Sequence, residues 1–214
     1  MATQLTPRDL EILHALTHCV RLFSLQQVYC CWWKFAAKNS TALRDRIHIL
    51  AECGWVRRGT VFARPLPPIE RPLFTWRPRE QAPKFDAIAW IAQSRWTAAP
   101  RSTSVIVASD KSSRHFFGRR ARGIRQGFQT THDLGVAEVY VRFREQFPSQ
   151  ISEWRGERMI AHLRRRKKIP DAVIADESLW PPKLVVEFAG EYSARRLRQF
   201  HHVCVKEQLP YQLW

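Results

Sequence analysis

The stretch STALRDRIHILAECGWVRRGTVFA, residues 40–63, decides the reading of the first part of the chain. Ser40 or Thr41 can cap a helix, Leu43, Ile47 and Leu50 follow at spacings of four and three, and Gly54 stops it. Beyond the stop, Trp55–Val56 and Thr60–Phe62 are short β-prone runs joined by Arg57, Arg58 and Gly59, which predicts a small hairpin with a basic tip. Toward the N-terminus, Thr6, Pro7, Asp9 and Glu11 mark the start of a helix over residues 5–18, and Ser24 opens a second over residues 24–33.

Three short helices and a basic hairpin follow the order of a winged helix, in which the third helix enters the major groove and the wing touches the backbone. On that reading Thr41, Arg44, Arg46 and His48 face base edges, while Arg57 and Arg58 meet phosphate. The competing reading is a three-helix bundle whose arginines are simply solvated.

The charge balance favours a polyanionic partner. Over 214 residues there are 35 Lys and Arg against 19 Asp and Glu, a formal +16. Residues 1–107 hold 15 basic and 7 acidic groups and the remainder 20 and 12, so each half carries +8. Such an excess repels itself unless nucleic acid or another strongly anionic surface offsets it. No run approaches the roughly 18 apolar residues that span a bilayer, and the opening MATQLTPRDLEIL has acids where a secretion signal is apolar. The expectation is a cytoplasmic protein with no membrane partner. Its five cysteines, Cys19, Cys30, Cys31, Cys53 and Cys204, read as reduced core residues because no pair has zinc spacing. His201 and His202 near Cys204 point to different helix faces, so no metal site is expected there.

The proline-rich segment 65–83 reads as a linker with one edge strand at LFTW, separating a domain over 1–64 from a domain over 84–214. In the second domain a helix begins near Lys84, and SVIVAS (104–109) is a buried strand followed by a basic loop or irregular hairpin. A helix THDLGVAEVYVRFREQF comes next, with Leu134, Ala137, Val141 and Phe143 or Phe147 inward. Strands DAVIA and LVVEFA, a basic helix over residues 191–208 and a final strand YQLW complete a mixed α/β domain.

Three acids stand out there. Glu138 is on the helix, Asp171 follows Pro170 at a strand start, and Glu187 is near the end of an apolar strand. A carboxylate in a buried strand is costly unless it is paired or holds a metal. Adjacent strands would bring Asp171 and Glu187 together as oxygen ligands of the kind Mg²⁺ takes. Solvation of Glu138, a strand-start hydrogen bond for Asp171 and an ion pair from Glu187 to Arg195 or Arg196 form the competing reading. Arg119, Arg120, Arg122 and Arg125 lie among Phe116, Phe117 and Phe128. With the run Arg164, Arg165, Arg166, Lys167 and Lys168, they are candidate phosphate contacts, which position a protein without reading sequence.

The acids and their spacing resemble the PD-(D/E)XK nuclease superfamily, which has a helix acid, a Pro-Asp, and an acid and lysine two residues apart. The lysine position is Ala189 here, with Lys183 and Lys206 as substitutes. The full order, with THDLGVAEVYVRF, IPDAVI and LVVEFAGE, resembles the replication-relaxation family of plasmid mobilisation and replication accessory proteins. That resemblance implies a winged helix joined to a degenerate nuclease-like domain. It implies a double-stranded DNA-binding regulator or accessory factor in plasmid or mobile-element transfer or replication, partnered by a relaxase or a second copy of the chain. No cofactor is then required. The alternative it leaves is an active Mg²⁺-dependent endonuclease with Glu138, Asp171 and Glu187 catalytic, the last two holding the metal.

Overall fold

Thr6 begins the first helix as its spacing predicts. The Asp9 amide donates to the Thr6 hydroxyl at 3.3 Å and the Thr6 amide donates to the Asp9 carboxylate at 2.7 Å, so two donors that a helix start leaves open are satisfied reciprocally. The computed structural model describes residues 4–34, 40–121, 123–124, 127–165 and 167–214, and of Ser40 and Phe128 the backbone alone. Arg122, Arg125 and Arg166, named above, lie outside the described residues.

Helix α1 (Pro7–His14) continues as a π-helical turn, Ala15–Cys19, and buries Ile12, Leu13 and Leu16. After the two-residue strand β1 (Phe23–Ser24), Ser24 and Gln27 form a second capping box at the head of α2 (Leu25–Val28), and α3 (Ser40–Glu52) buries Leu43, Ile47 and Leu50. The expected hairpin is instead one unbroken strand, β2 (Val56–Ala63). It pairs antiparallel with β4 (Arg101–Ala108) from Val56↔Ala108 to Ala63↔Arg101, and β1 flanks β4 on the other side, giving the order β1-β4-β2. The cause is the better partner: Val105 to Ala108 are all buried, whereas the short runs either side of Gly59 offer little to each other. Gly59 lies mid-strand, where a Cβ would come within 2.3 Å of the end of the Ile124 side chain, and Arg57 and Arg58 sit on a strand, not at a tip.

The chain divides into two compact units, each made of two segments: Met1–Ala63 with Pro100–Val141, and Arg64–Ala99 with Arg142–Trp214. This differs from a division at residues 65–83. The proline-rich segment carries β3 (Phe74–Trp76), the edge strand that LFTW suggested, while β4 belongs to the first unit's sheet and not to the second domain.

The second unit holds a five-stranded sheet, β3-β8-β7-β6-β5. Strands β5 (Trp154–Gly156), β6 (Ala172–Ile174) and β7 (Leu184–Glu187) run antiparallel in turn. α8 (Ala194–Lys206) then carries the chain to β8 (Tyr211–Leu213), which lies parallel to β7. The helix near Lys84 is α4 (Phe85–Ser94), packed against α8. Val173, Val185, Leu197, Phe200, Tyr211 and Leu213 form the centre of this core.

Among the elements not anticipated are β1, α5 (Asp110–His115) in the basic segment, β5, and α7 (Glu157–Ile160). Each is six residues or fewer, too short for a period to be visible. Helix α6 (Phe128–Gln146) buries Leu134, Ala137, Val141 and Phe143 as expected. The fold is mixed α/β with two sheets.

Candidate functional site

The register of β6 and β7 brings two carboxylates together. Ala172 pairs with Val186, so Asp171, one residue before, lies opposite Glu187, one residue after. The Phe188 amide donates to Asp171 Oδ2 at 2.9 Å, and the Asp171 amide faces Glu187 Oε2 at 3.4 Å. Glu187 is 1% exposed, and the Tyr192 hydroxyl donates to its Oε1 at 2.8 Å. Arg196 closes the chain of contacts, donating to the Tyr192 hydroxyl at 2.9 Å with its guanidinium 3.7 Å from that ring. Ser193 sets this geometry: as N-cap of α8 it takes the Arg196 amide, and Arg196 lies one turn on from Tyr192.

Position 189 is Ala189, and a lysine from outside the two strands meets the pair. Lys168 Nζ lies 2.7 Å from Glu187 Oε1, over the Phe200 ring at 4.4 Å. The ammonium is buried and meets the carboxylate as an ion pair without the angles of a hydrogen bond. Arg164 holds it there: its Nε and Nη2 donate to the Lys168 carbonyl at 3.2 and 3.1 Å, and its Nη1 pairs with Glu207. Arg164 is 3% exposed and stacks on Trp180, so it is turned inward and away from any phosphate. Lys167 reaches Glu207 at 3.3 Å, while Arg165 is exposed. The expected substitutes lie apart from this group. Lys183 pairs with Glu153 at 2.6 Å, and Lys206 is exposed at the end of α8. The missed signal is Lys168 itself, three residues before Asp171 on the approach to the same strand.

Burial raises the Glu187 carboxyl above its usual range, helped by the charge of Asp171 and opposed by Lys168 and Tyr192. Burial and the two carboxylates also raise the Tyr192 phenol, keeping it a donor at neutral pH. Burial foremost pushes the Cys204 thiol up to about 12, so it stays protonated and inert. His201 is packed against Trp76 and Phe85, with Nδ1 2.9 Å from the Tyr211 hydroxyl.

The carboxylate pair is engaged by groups of the chain itself. Glu187 Oε1 already meets an ammonium and a phenol, and the place of the counter-charge is filled by Lys168. Among the described residues, no group of three or more His, Cys, Asp or Glu side chains has metal-holding geometry. Glu138 belongs to the first unit, where its Oε2 accepts from Gln27 at 3.2 Å; Gln27 also donates to the Leu134 carbonyl at 2.9 Å.

In the first unit, Thr41, Arg44 and His48 are exposed on α3. Arg46 is not part of that face. Its guanidinium is bound to the Asp9 carboxylate and to the Gln4 carbonyl, tying α3 to the start of α1. Burial pushes the Asp9 carboxyl up, but the hydrogen bonds from Arg46 and Thr6 outweigh it and hold the group below its ordinary value. On β2, Arg58 lies 3.5 Å from His48 and Arg57 pairs with Asp110 at 3.0 Å, which joins the exposed residues of α3 to the strand. Arg119 and Arg120 are exposed, Arg120 at 3.9 Å from Asp110. No family model, curated protein or solved structure matches the chain.

Proposed function

We propose that this protein binds double-stranded DNA through its first unit, read as a winged helix, and that its second unit is a nuclease-like scaffold that does not cleave. The observation that carries the reading is the element order helix, strand, helix, helix, strand, strand with the sheet order β1-β4-β2. In a winged helix this order presents the third helix to the major groove, with the last two strands as the wing. Here the chain between those strands, residues 64–99, is counted in the second unit. Thr41, Arg44 and His48 then address base edges, with Arg57, Arg58, Arg119 and Arg120 toward the backbone. A net charge of +16 supports a polyanion as partner. The biological role that suits this reading is a regulator or an accessory factor of DNA transfer or replication.

The test is affinity for labelled duplex of the wild type and of Arg44→Ala with His48→Ala. Removing two groove contacts is expected to weaken the best-bound sequence by about tenfold or more. Unchanged affinity on every duplex contradicts the assignment of α3.

A second reading, a Mg²⁺-dependent endonuclease, is favoured by the convergence of Asp171, Glu187 and Lys168. In it Lys168, ion-paired to Glu187 Oε1, takes the place of the lysine missing at Ala189. Strand breaks that need Mg²⁺ and vanish in Asp171→Ala would establish it, and intact DNA under the same conditions would remove it.

A further inference from the structure

α5 ends with an aromatic side chain in a place that ordinary folding disfavours. Phe116 N donates to Ser112 O at 3.0 Å and Gly118 N to Ser113 O at 2.7 Å, a helix stop whose turning residue adopts the left-handed conformation normally given to glycine. Here that residue is Phe117, with φ +53°. A bulky side chain is strained in this region, because its Cβ crowds the backbone. Phe117 gains nothing from the interior in return, being 96% exposed.

Its neighbours on both sides are anchored. The Phe116 carbonyl lies 2.8 Å from His18 Nε2, and the Phe116 ring packs edge-on against His14. A Cβ on Gly118 would meet Thr17 at 2.2 Å, so the backbone there lies tight against the end of the first helix. At the other end, Ser109 donates to the Gly54 carbonyl at 2.6 Å and Lys111 to the Cys53 carbonyl at 2.8 Å. The aromatic ring is therefore thrust into solvent from a fixed base. Exposed Arg114, Arg119 and Arg120 surround it in sequence.

We infer that Phe117 stacks on a nucleobase. An isolated, outward aromatic with cationic neighbours suits a base whose phosphates the arginines can meet, and stacking is worth about tenfold or more in affinity per base. The partner is a base with an open face, either in a single strand or at an unstacked step of a duplex. This inference rests on the DNA-binding reading above.

The experiment measures binding of the full chain to three probes: a perfect duplex, the same duplex with one unpaired nucleotide, and a single strand. The variants are Phe117→Gly and Phe117→Trp. Glycine suits the left-handed angle, so Phe117→Gly is expected to melt at or above the wild-type temperature. It should bind the open-base probes about tenfold more weakly, with the salt dependence unchanged, while Phe117→Trp keeps wild-type affinity. A larger loss on the single strand than on the bulged duplex assigns the base to a single strand, and the reverse assigns it to an opened duplex step. If the wild type binds DNA and Phe117→Gly binds all three probes equally well, the stacking inference is overturned. If the wild type binds none of them, the DNA-binding reading itself falls.

Discussion

Two cationic segments look alike in the sequence, Arg114 to Arg120 in the first unit and Arg164 to Lys168 in the second, yet they are used in opposite ways. In the second unit Arg164 is buried against Trp180 and Glu207, and Lys168 turns inward to Glu187. In the first, Arg114, Arg119 and Arg120 stay at the surface around an outward phenylalanine. The difference lies in distant acids. Glu187 and Glu207 wait for the second segment, whereas Asp110, 3.9 Å from Arg120 in the first, is itself partly exposed. Local charge density therefore does not decide whether a basic run stays at the surface or becomes an internal brace.

The largest expected effect falls on the brace. Arg164→Met should lower stability by about 3 kcal/mol, since it frees the Lys168 carbonyl and removes the buried one of the two cations that meet Glu207. Urea unfolding measures it. The double change Arg119→Gln with Arg120→Gln should stay within about 0.5 kcal/mol of the wild type in the same titration. Equal losses in the two segments would erase the contrast between them.

Asp9→Asn comes next, at about 2 kcal/mol near neutral pH, because Asp9 is buried and held by Arg46 and Thr6. Its carboxyl is depressed in the fold, so its contribution is present above its unfolded value near 3.8 and is lost as pH falls through the folded value. The gap between wild type and Asp9→Asn should thus close in acid. A constant gap from pH 7 to pH 2 would show that Arg46 gives α3 no electrostatic hold.

Glu187 should behave in the opposite sense. Its carboxyl is raised by burial, so the unfolded chain loses this proton first, near 4.5, and the native state loses stability as pH rises from there through the folded value. Glu187→Gln cannot ionise. Its stability relative to the wild type should rise as pH goes from 4 to 8, read from thermal or urea unfolding. A relative stability that falls over that range would mean Lys168 outweighs the burial of the pair.

The smallest effect lies on the open segment. Each of Arg119→Gln and Arg120→Gln should reduce the slope of log affinity against log salt by about one, if each meets a phosphate. The same substitution at Lys167, occupied by Glu207, should change that slope less.

The elements with strong local signals were legible before the fold was known. Thr6 and Ser24 announced their helices through capping, and the apolar repeat of Leu43, Ile47 and Leu50 gave α3 its buried face. The apolar runs AVI and LVVE gave β6 and β7, and with them the meeting of Asp171 and Glu187. What stayed hidden depends on pairing across long separations. Nothing near Gly59 shows that β2 prefers β4 to its own other half, and that choice also moved the division of the chain. Lys168 was read with its neighbours as surface charge, because its partner lies 19 residues further on. Arg46 looked like Arg44 on the same helix, yet its place on the turn faces Asp9.

The most direct test of the central claim is binding of the purified chain to labelled duplex DNA from low to high salt, with and without Mg²⁺, with the strands then separated on a denaturing gel. The account predicts binding that weakens steeply as salt rises and DNA that stays intact in both conditions. Binding absent at low salt would contradict the proposal of a DNA-binding protein, and Mg²⁺-dependent breaks would contradict the proposal that the second unit does not cleave.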